Sequence, residues 1–416
     1  MCGDKSRGAE SLYARFALSR KIVKSVSYIK EGCMKKISMF LIFVFVFLTF
    51  SGCGGTSIYA NYREVETLDL IHAVGVDKSG GEISVTACSG KGKDDIEPTL
   101  FKNTAKSLAR ALDELYKSSS KEDVLFYHTE HFVVGEEAAR EGINKYLDYA
   151  AMAKNLRLRT NLFIVKGNTA KELITKTTKA KGSASDMLQT IKKDVDMLSE
   201  GYVYTCGEVF AALEKTGCAI TLAVELVPLD ECEKNGELRI APAGYAVIKE
   251  GRVVGYADTQ LARGIGILTG KMKYDIAEIP DGMGGLAVIQ LTKAKIRVTP
   301  QYKEGSIISV DIEVTFDGTI EELQNPLNLE DGKTIERLSK EVALVERKRI
   351  QDALNLAQSL GADFMDLGGL VEMRTPVEFA KLITSWKDAF PEIQFNVKVD
   401  TAVNRIYNFS GPANVA

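Results

Sequence analysis

The alternation of apolar and polar positions is clearest in the last third of the chain. Every second residue is apolar between positions 308 and 316, which is typical of a strand with one solvent-facing side. Residues 334–360 carry apolar positions at helical spacing, and Gly361 follows as a stop signal. Alternation returns from 393 to 399 and predicts a final strand. This third of the chain is therefore predicted to pack a long helix against an antiparallel-rich sheet.

A second C-terminal helix is predicted to begin at Thr375. Thr375 and Glu378 have the spacing of a capping box, and Pro376 occupies the first helical position. We expect this helix to carry Phe379 and Trp386, the only tryptophan, on one apolar stripe. The indole of Trp386 is then expected to lie in the core against the long helix.

The first two thirds of the chain alternate between short apolar runs and helical stripes. The patterns predict a hairpin over 70–87, a helix over 103–116, buried strands at 132–134 and 162–165, a connecting helix and linker over 182–202, a strand over 220–226 and a hairpin over 245–256. The predicted fold class is α+β and multi-domain, with mixed sheets and packed helices. We place an N-terminal α/β domain at 61–198, a small and mainly β middle domain at 199–272, and an α+β domain at 273–412.

The region before residue 61 has the layout of a bacterial lipoprotein signal peptide. Two lysines follow Met34, an uncharged apolar run spans 37–50, and the small residues Ser51 and Gly52 precede Cys53. This order resembles a lipobox, which implies that the thiol of Cys53 carries diacylglycerol and that cleavage removes 34–52. An uncleaved membrane anchor is the alternative, although the run is short for a span. Residues 53–60 are then a tether, and 1–33 are a mis-assigned start or a pre-segment.

Composition and the candidate reactive residues argue against several classes of function. The net charge of −3 gives no basic footprint for nucleic acid. His128 and His131 precede an apolar strand, where three-residue spacing does not bring two rings together, so no metal site is expected. Cys88, Cys206, Cys218 and Cys232 are expected to be buried thiols, with a disulfide among the last three as the alternative. We find no arrangement typical of a catalytic site, and we expect no cofactor.

Several segments, in order, resemble the Ger(x)C spore-germination lipoproteins, the C subunits of nutrient germinant receptors. The similar segments are Arg63–Glu66, Ala73–Lys78, Ser107–Leu108 with Ala111–Leu112, His128 with Val133–Glu137, Gly264–Lys271, Leu360–Phe364 and Trp386–Pro391. The resemblance implies three domains and no enzymatic activity. It also implies assembly with integral-membrane A and B subunits at the outer face of the inner spore membrane, where the lipid on Cys53 would anchor the chain.

Two other functions remain open on the sequence alone. A solute-binding lipoprotein would capture a germinant directly, and that class favours two similar lobes around a cleft. A wall-modifying enzyme would need a catalytic set of residues. We find neither an internal duplication nor such a set, so the receptor subunit is the leading hypothesis.

Overall fold

The computed structural model describes residues 68–90, 98–118, 123–152, 156–181, 183–198, 200–228 and 238–404. These residues belong to one compact unit, Val65–Ala416. Cys53, the predicted signal peptide and the tether lie outside the described residues, as does Cys232. Within the described ranges, no helix has the length and apolar character needed to span a membrane.

The first sheet is mixed and has nine strands. Its strands are β1 (Leu68–Ser79), β2 (Glu82–Ser89), β3 (Leu100–Ala105), β4 (Asp123–Leu125), β5 (His131–Val134), β6 (Asn161–Val165), β7 (Cys218–Pro228), β8 (Leu238–Lys249) and β9 (Arg252–Ala257). Their order is β3-β2-β1-β5-β6-β7-β8-β9, and β4 pairs with β1. The central strands β1, β5, β6 and β7 are parallel. All residues of β5 and β6 are buried, as parallel strands require when both faces of a sheet are covered.

Helices cover both faces of this sheet; six of them precede β7 in the described part of the chain, and residues 259–268 also pack on β8 and β9. The six are α1 (Leu108–Ser118), α2 (Glu136–Glu141), α3 (Asn144–Met152), α4 (Ala170–Lys181), α5 (Ala184–Leu198) and α6 (Cys206–Thr216). Alternate strand residues enter opposite cores: Phe132 and Val134 join the core with α1, α2, α3 and α6, whereas Val133 joins the core with α4 and α5. The first sheet is therefore the middle layer between two layers of helices.

Two sequence predictions for this region need correction. The predicted helix over 103–116 is wrong in its first residues, because 100–105 form the edge strand β3 and α1 begins at Leu108. Pairing with β2 decides this conformation, and no local signal marks it. The segment 182–202 contains the expected helix, but Leu188, Ile191 and Val195 of that helix are buried against the sheet. Their spacing is that of a core-facing stripe.

The strands predicted within 199–272 extend the first sheet. β7 pairs with the parallel strand β6, and β8 and β9 follow by antiparallel pairing. The segment thus shares a sheet with residues 61–198, while the division into three domains stays a prediction.

The second sheet has four strands and is mostly antiparallel, as predicted. Its strands, in order, are β10 (Tyr274–Pro280), β11 (Leu286–Lys303), β12 (Ser306–Leu323) and β13 (Gln394–Asn404). Only the pairing of β12 with β13 is parallel. The alternation at 308–316 places Val310, Ile312, Val314 and Phe316 in the core.

The helices beside this sheet include the predicted long one. They are α7 (Thr259–Leu268), α8 (Gly332–Leu360), α9 (Leu367–Arg374), α10 (Pro376–Phe379) and α11 (Trp386–Ala389). Helix α8 packs on β13 and buries Leu338 and Val342. It ends at Gly361, whose φ of 56° is left-handed, so this prediction is confirmed.

The second C-terminal helix is not continuous, which corrects the sequence prediction. α10 ends at Phe379, and Trp386 begins a separate short helix. Thr375 forms no capping box, because its hydroxyl is hydrogen-bonded to Tyr302 Oη (2.6 Å) and to the Val371 carbonyl (3.1 Å). Ser385 instead caps α11 by accepting the backbone N–H of Asp388. A tertiary contact therefore overrides the local capping signal.

Candidate functional site

A cavity of about 310 Å³ lies between the first sheet and the segment after α8. Its lining combines aromatic rings, charged side chains and glycines. The lining residues are Lys215, Thr216, Cys218, Gly361, Asp363, Asp366, Gly368, Gly369, Glu372, Phe379, Trp386, Lys387 and Phe390. Two of the segments quoted for the family resemblance, 360–364 and 386–391, meet here. This cavity is the candidate functional site.

Asp363 fixes the geometry of the site. Its carboxylate accepts the backbone N–H groups of Leu367 (2.9 Å) and Gly368 (2.7 Å), and the indole N–H of Trp386 (2.8 Å). Burial raises the pKa of this carboxyl, while the three hydrogen bonds act in the opposite direction. The side chain therefore joins the start of α9 to the tryptophan ring.

Trp386 forms one wall of the cavity together with two phenylalanines. Its ring centroid lies 6.2 Å from that of Phe379 and 5.9 Å from that of Phe390. A Cβ at Gly368 would lie 2.5 Å from the indole nitrogen, so only glycine lets the ring approach α9 this closely. Trp386 is half-buried and packs against the edge of the core, so the prediction that it packs in the core is confirmed only for part of its side chain.

Polar contacts at the rim of the cavity join the first sheet and its helices to the C-terminal part of the chain. Lys215 of α6 pairs with Asp366 Oδ2 (2.5 Å), and Lys387 pairs with Glu250 (2.6 Å). Lys249 donates to the Leu360 carbonyl at the end of α8 (3.2 Å). Each contact joins the first sheet or its helices to the end of α8 or to the segment after it.

Asp366 has an unusual conformation at this rim. Its φ of 56° places a non-glycine residue in the left-handed region. Its Oδ1 is enclosed and has no hydrogen-bond partner among the described residues. A Cβ at Gly369 would lie 2.4 Å from this oxygen. Strain of this kind concentrates at functional positions in proteins.

Two N-terminal segments that carry the family resemblance, 73–78 and 133–137, do not line the cavity. They hold helix α4 against the first sheet. Asp77, at the end of β1, accepts the backbone N–H groups of Ala170 and Lys171, both at 2.8 Å, at the start of α4. A Cβ at Gly135 would lie 2.0 Å from Asp77 Oδ1. These residues therefore lock α4 to the sheet.

The histidines considered for metal binding do not converge. His131 is buried on β5, where its Nδ1 lies 3.3 Å from Asn161 Nδ2, and burial lowers its pKa to about 3. His128 is exposed in a 3₁₀ turn. Within the described part of the chain, no group of three or more His, Cys, Asp or Glu side chains has the geometry to hold a metal ion.

Three of the cysteines considered in the sequence lie in the described part of the chain. Cys88, Cys206 and Cys218 are buried free thiols, and burial raises the pKa of each. Lipidation of Cys53, which lies outside the described residues, stays a prediction.

Sequence reasoning missed the residues that build the cavity. Asp363 and Trp386 stood in segments singled out for resemblance, but their hydrogen bond had no signal in the sequence. Lys215 and Asp366 are 151 positions apart. The glycine pair Gly368 and Gly369 inside α9 is the one local feature that indicates a close approach of another group.

The comparisons with known proteins match the two halves of the chain in order. A family described as "Spore germination protein N-terminal domain" matches residues 61–226, and one described as "Spore germination B3/ GerAC like, C-terminal" matches residues 243–407. The chain belongs to the Ger(x)C family. This is a family of germinant receptor C subunits and is generally non-catalytic.

A solved Ger(x)C structure has the same fold. The structure titled "Crystal Structure of the GerBC protein" matches with a TM-score of 0.52 at 14% sequence identity, covering 79% of this chain and 96% of that chain. The comparison with curated protein sequences found no match. At this identity the structural likeness establishes the shared fold.

Proposed function

We propose that this Ger(x)C chain is the non-catalytic lipoprotein subunit of a spore nutrient germinant receptor. It assembles with integral-membrane A and B subunits, and the complex triggers germination. The observation that carries the proposal is the ordered match of both family domains across residues 61–226 and 243–407.

Membrane attachment is the second part of the proposal. Cys53, after an apolar run and two small residues, takes a diacylglyceryl anchor that holds the body on the outer face of the inner spore membrane. Two acyl chains give stable attachment, where one chain gives only reversible binding. Confinement beside the membrane raises the effective concentration of the chain for its partners, so a modest interface suffices.

Purification of the tagged chain from spore membranes tests the assembly. The expected result is co-purification of two multi-span proteins, and a Cys53→Ala variant should recover much less of both. Recovery of the chain alone, under detergent conditions that preserve other membrane complexes, would contradict the proposal.

Deletion of the gene tests the role in germination. The spores should lose the response to one set of nutrients and keep the response to non-nutrient triggers. A normal response to every nutrient, with no paralogue to compensate, would refute the assignment. Hydrolytic activity of the purified chain on spore wall material would refute its non-catalytic character.

A further inference from the structure

The cavity has the size and the apolar wall of a small-molecule site. Its volume of about 310 Å³ falls in the range of ligand pockets. Phe379, Trp386 and Phe390 present aromatic rings to the space, and the hydrogen bond from Trp386 to Asp363 fixes the central ring. The site therefore has a rigid aromatic side before any ligand enters.

The balance of charge around the cavity is negative by one. The rim and lining hold three lysines and four carboxylates, namely Lys215, Lys249, Lys387, Asp363, Asp366, Glu372 and Glu250. Lys215 and Lys387 are already paired, with Asp366 and Glu250 respectively. Glu372 also lines the cavity, and it has no ion pair within the described residues. Asp366 Oδ1 likewise has no donor there. The lining thus offers carboxylate acceptors beside aromatic rings.

The start of α9 does not offer a competing anion site. Its first two N–H groups, those of Leu367 and Gly368, are both taken by Asp363. An anion would therefore meet two carboxylates, Asp363 and Asp366, where a free helix N-terminus would offer donors.

We propose that this cavity binds a small organic molecule with an ammonium group. The ammonium lies against the aromatic wall and donates to the carboxylates of Glu372 and Asp366, and the apolar part of the molecule fills the remaining volume. A cation gains from the faces of aromatic rings, with tryptophan the most favourable, and from charge-assisted hydrogen bonds to carboxylates. This inference goes beyond the proposed function, because it does not require assembly with other subunits.

Trp386 provides a direct readout, because it is the only tryptophan in the chain. The full chain in detergent micelles is titrated with benzylammonium while tryptophan fluorescence is recorded. Benzyl alcohol and phenylacetate serve as neutral and anionic probes with the same ring. We expect a saturable change with benzylammonium at concentrations at least tenfold below those at which either other probe acts.

Variants separate the named carboxylates from the general surface charge. Glu372→Gln, and separately Asp366→Asn, should weaken benzylammonium binding by about tenfold, the loss expected when one charge-assisted hydrogen bond is removed. Glu378→Gln is the matched control, because Glu378 is exposed on α10 and does not line the cavity. Circular dichroism checks that each variant is folded. Glu372→Gln removes no ion pair among the described residues, so its effect on binding can be separated from an effect on folding.

Three results would overturn the proposal. The first is the absence of a saturable response to benzylammonium, and the second is an equal response to either benzyl alcohol or phenylacetate. The third is unchanged affinity in both carboxylate variants. None of them bears on receptor assembly, which co-purification with the membrane subunits tests separately.

Discussion

The buried carboxyl of Glu346 is expected to make the stability of this protein fall as the pH rises. Glu346 lies on α8 with its side chain fully buried, 2.5 Å from Arg349 Nη1, and its Oε2 has no partner among the described residues. Arg349 also contacts Asp275 of β10 (3.1 Å), and Arg263 of α7 contacts the same carboxylate (3.4 Å). Glu200 also lies 3.8 Å from Arg263, so three carboxylates and two arginines form one cluster.

Burial dominates the ionisation of Glu346. It raises the pKa from 4.5 to about 7, with Arg349 opposing the rise and Asp275 adding to it. Because the folded state holds the proton more tightly, its stability is greatest below the unfolded pKa and is lost as the pH rises towards 7. At 1.36 kcal/mol per pKa unit the full effect is roughly 3 kcal/mol, and most of it falls between about pH 5 and pH 8.

Glu346→Gln removes this titration and keeps the shape of the side chain. Urea unfolding of the compact unit Val65–Ala416 is measured at several pH values between about 5 and 8. The variant should show a decline in unfolding free energy that is smaller by about 2 kcal/mol than the decline of the parent chain. Burial also raises the pKa of Asp275, so its contribution to the pH dependence has the same sign as that of Glu346.

A matched control lies on the same helix. Glu336 is exposed, and its hydrogen bond to Lys340 lowers its pKa, so it stays ionised throughout this pH range. Glu336→Gln should therefore leave the pH dependence unchanged. If the parent chain and Glu346→Gln lose stability in parallel between about pH 5 and pH 8, the reasoning about the buried carboxyl is wrong.

Three further outcomes are expected. Gly135→Ala should lower the free energy of unfolding in urea by about 2 kcal/mol or more, because its Cβ would displace Asp77 from the start of α4. The control Gly332→Ala, where a Cβ meets open space, should be close to neutral. Trp386→Phe should lower the free energy of unfolding by about 1.5–3 kcal/mol, the value of a hydrogen bond to a charged group, and an unchanged unfolding midpoint would contradict this role of the bond. Cys53→Ala should yield an uncleaved or released protein, and an unmodified Cys53 in the mature parent protein, seen by mass spectrometry, would disprove lipidation.

The spacing of apolar residues predicted the helices and strands that face the same core along most of their length. The α8 stripe and the alternation in β12 and β13 each face one core over many residues, so the sequence repeats that environment. The capping signal at Thr375 failed because it depends on one hydroxyl, and Tyr302 engages that hydroxyl from a distant strand. Local signals carried by one side chain are easily overridden by tertiary contacts.

Strand order and the candidate site were beyond the reach of local patterns. β1 pairs with β2, β4 and β5, and nothing in its apolar run distinguishes these partners. The cavity similarly depends on contacts such as Lys215 with Asp366, which only the assembled sheets bring together. The sequence could suggest that the segments 360–364 and 386–391 matter, but it could not show that they touch.

In both halves of the fold, a segment that carries the family resemblance contains an aspartate that caps the N-terminus of a helix. Asp77 accepts the first two backbone N–H groups of α4, and Asp363 accepts the first two of α9. Burial raises the pKa of both carboxyls, a cost that is offset by hydrogen bonds at a helix N-terminus, where a negative charge is favoured. The two carboxylates differ in what lies beside them. Gly135 packs closely against Asp77 and leaves no open space there. Asp363 instead accepts a third hydrogen bond from Trp386, whose ring lines the cavity. The same anchoring chemistry therefore gives a closed joint in the first half and an open site in the second, which is why the ligand proposal rests on the second.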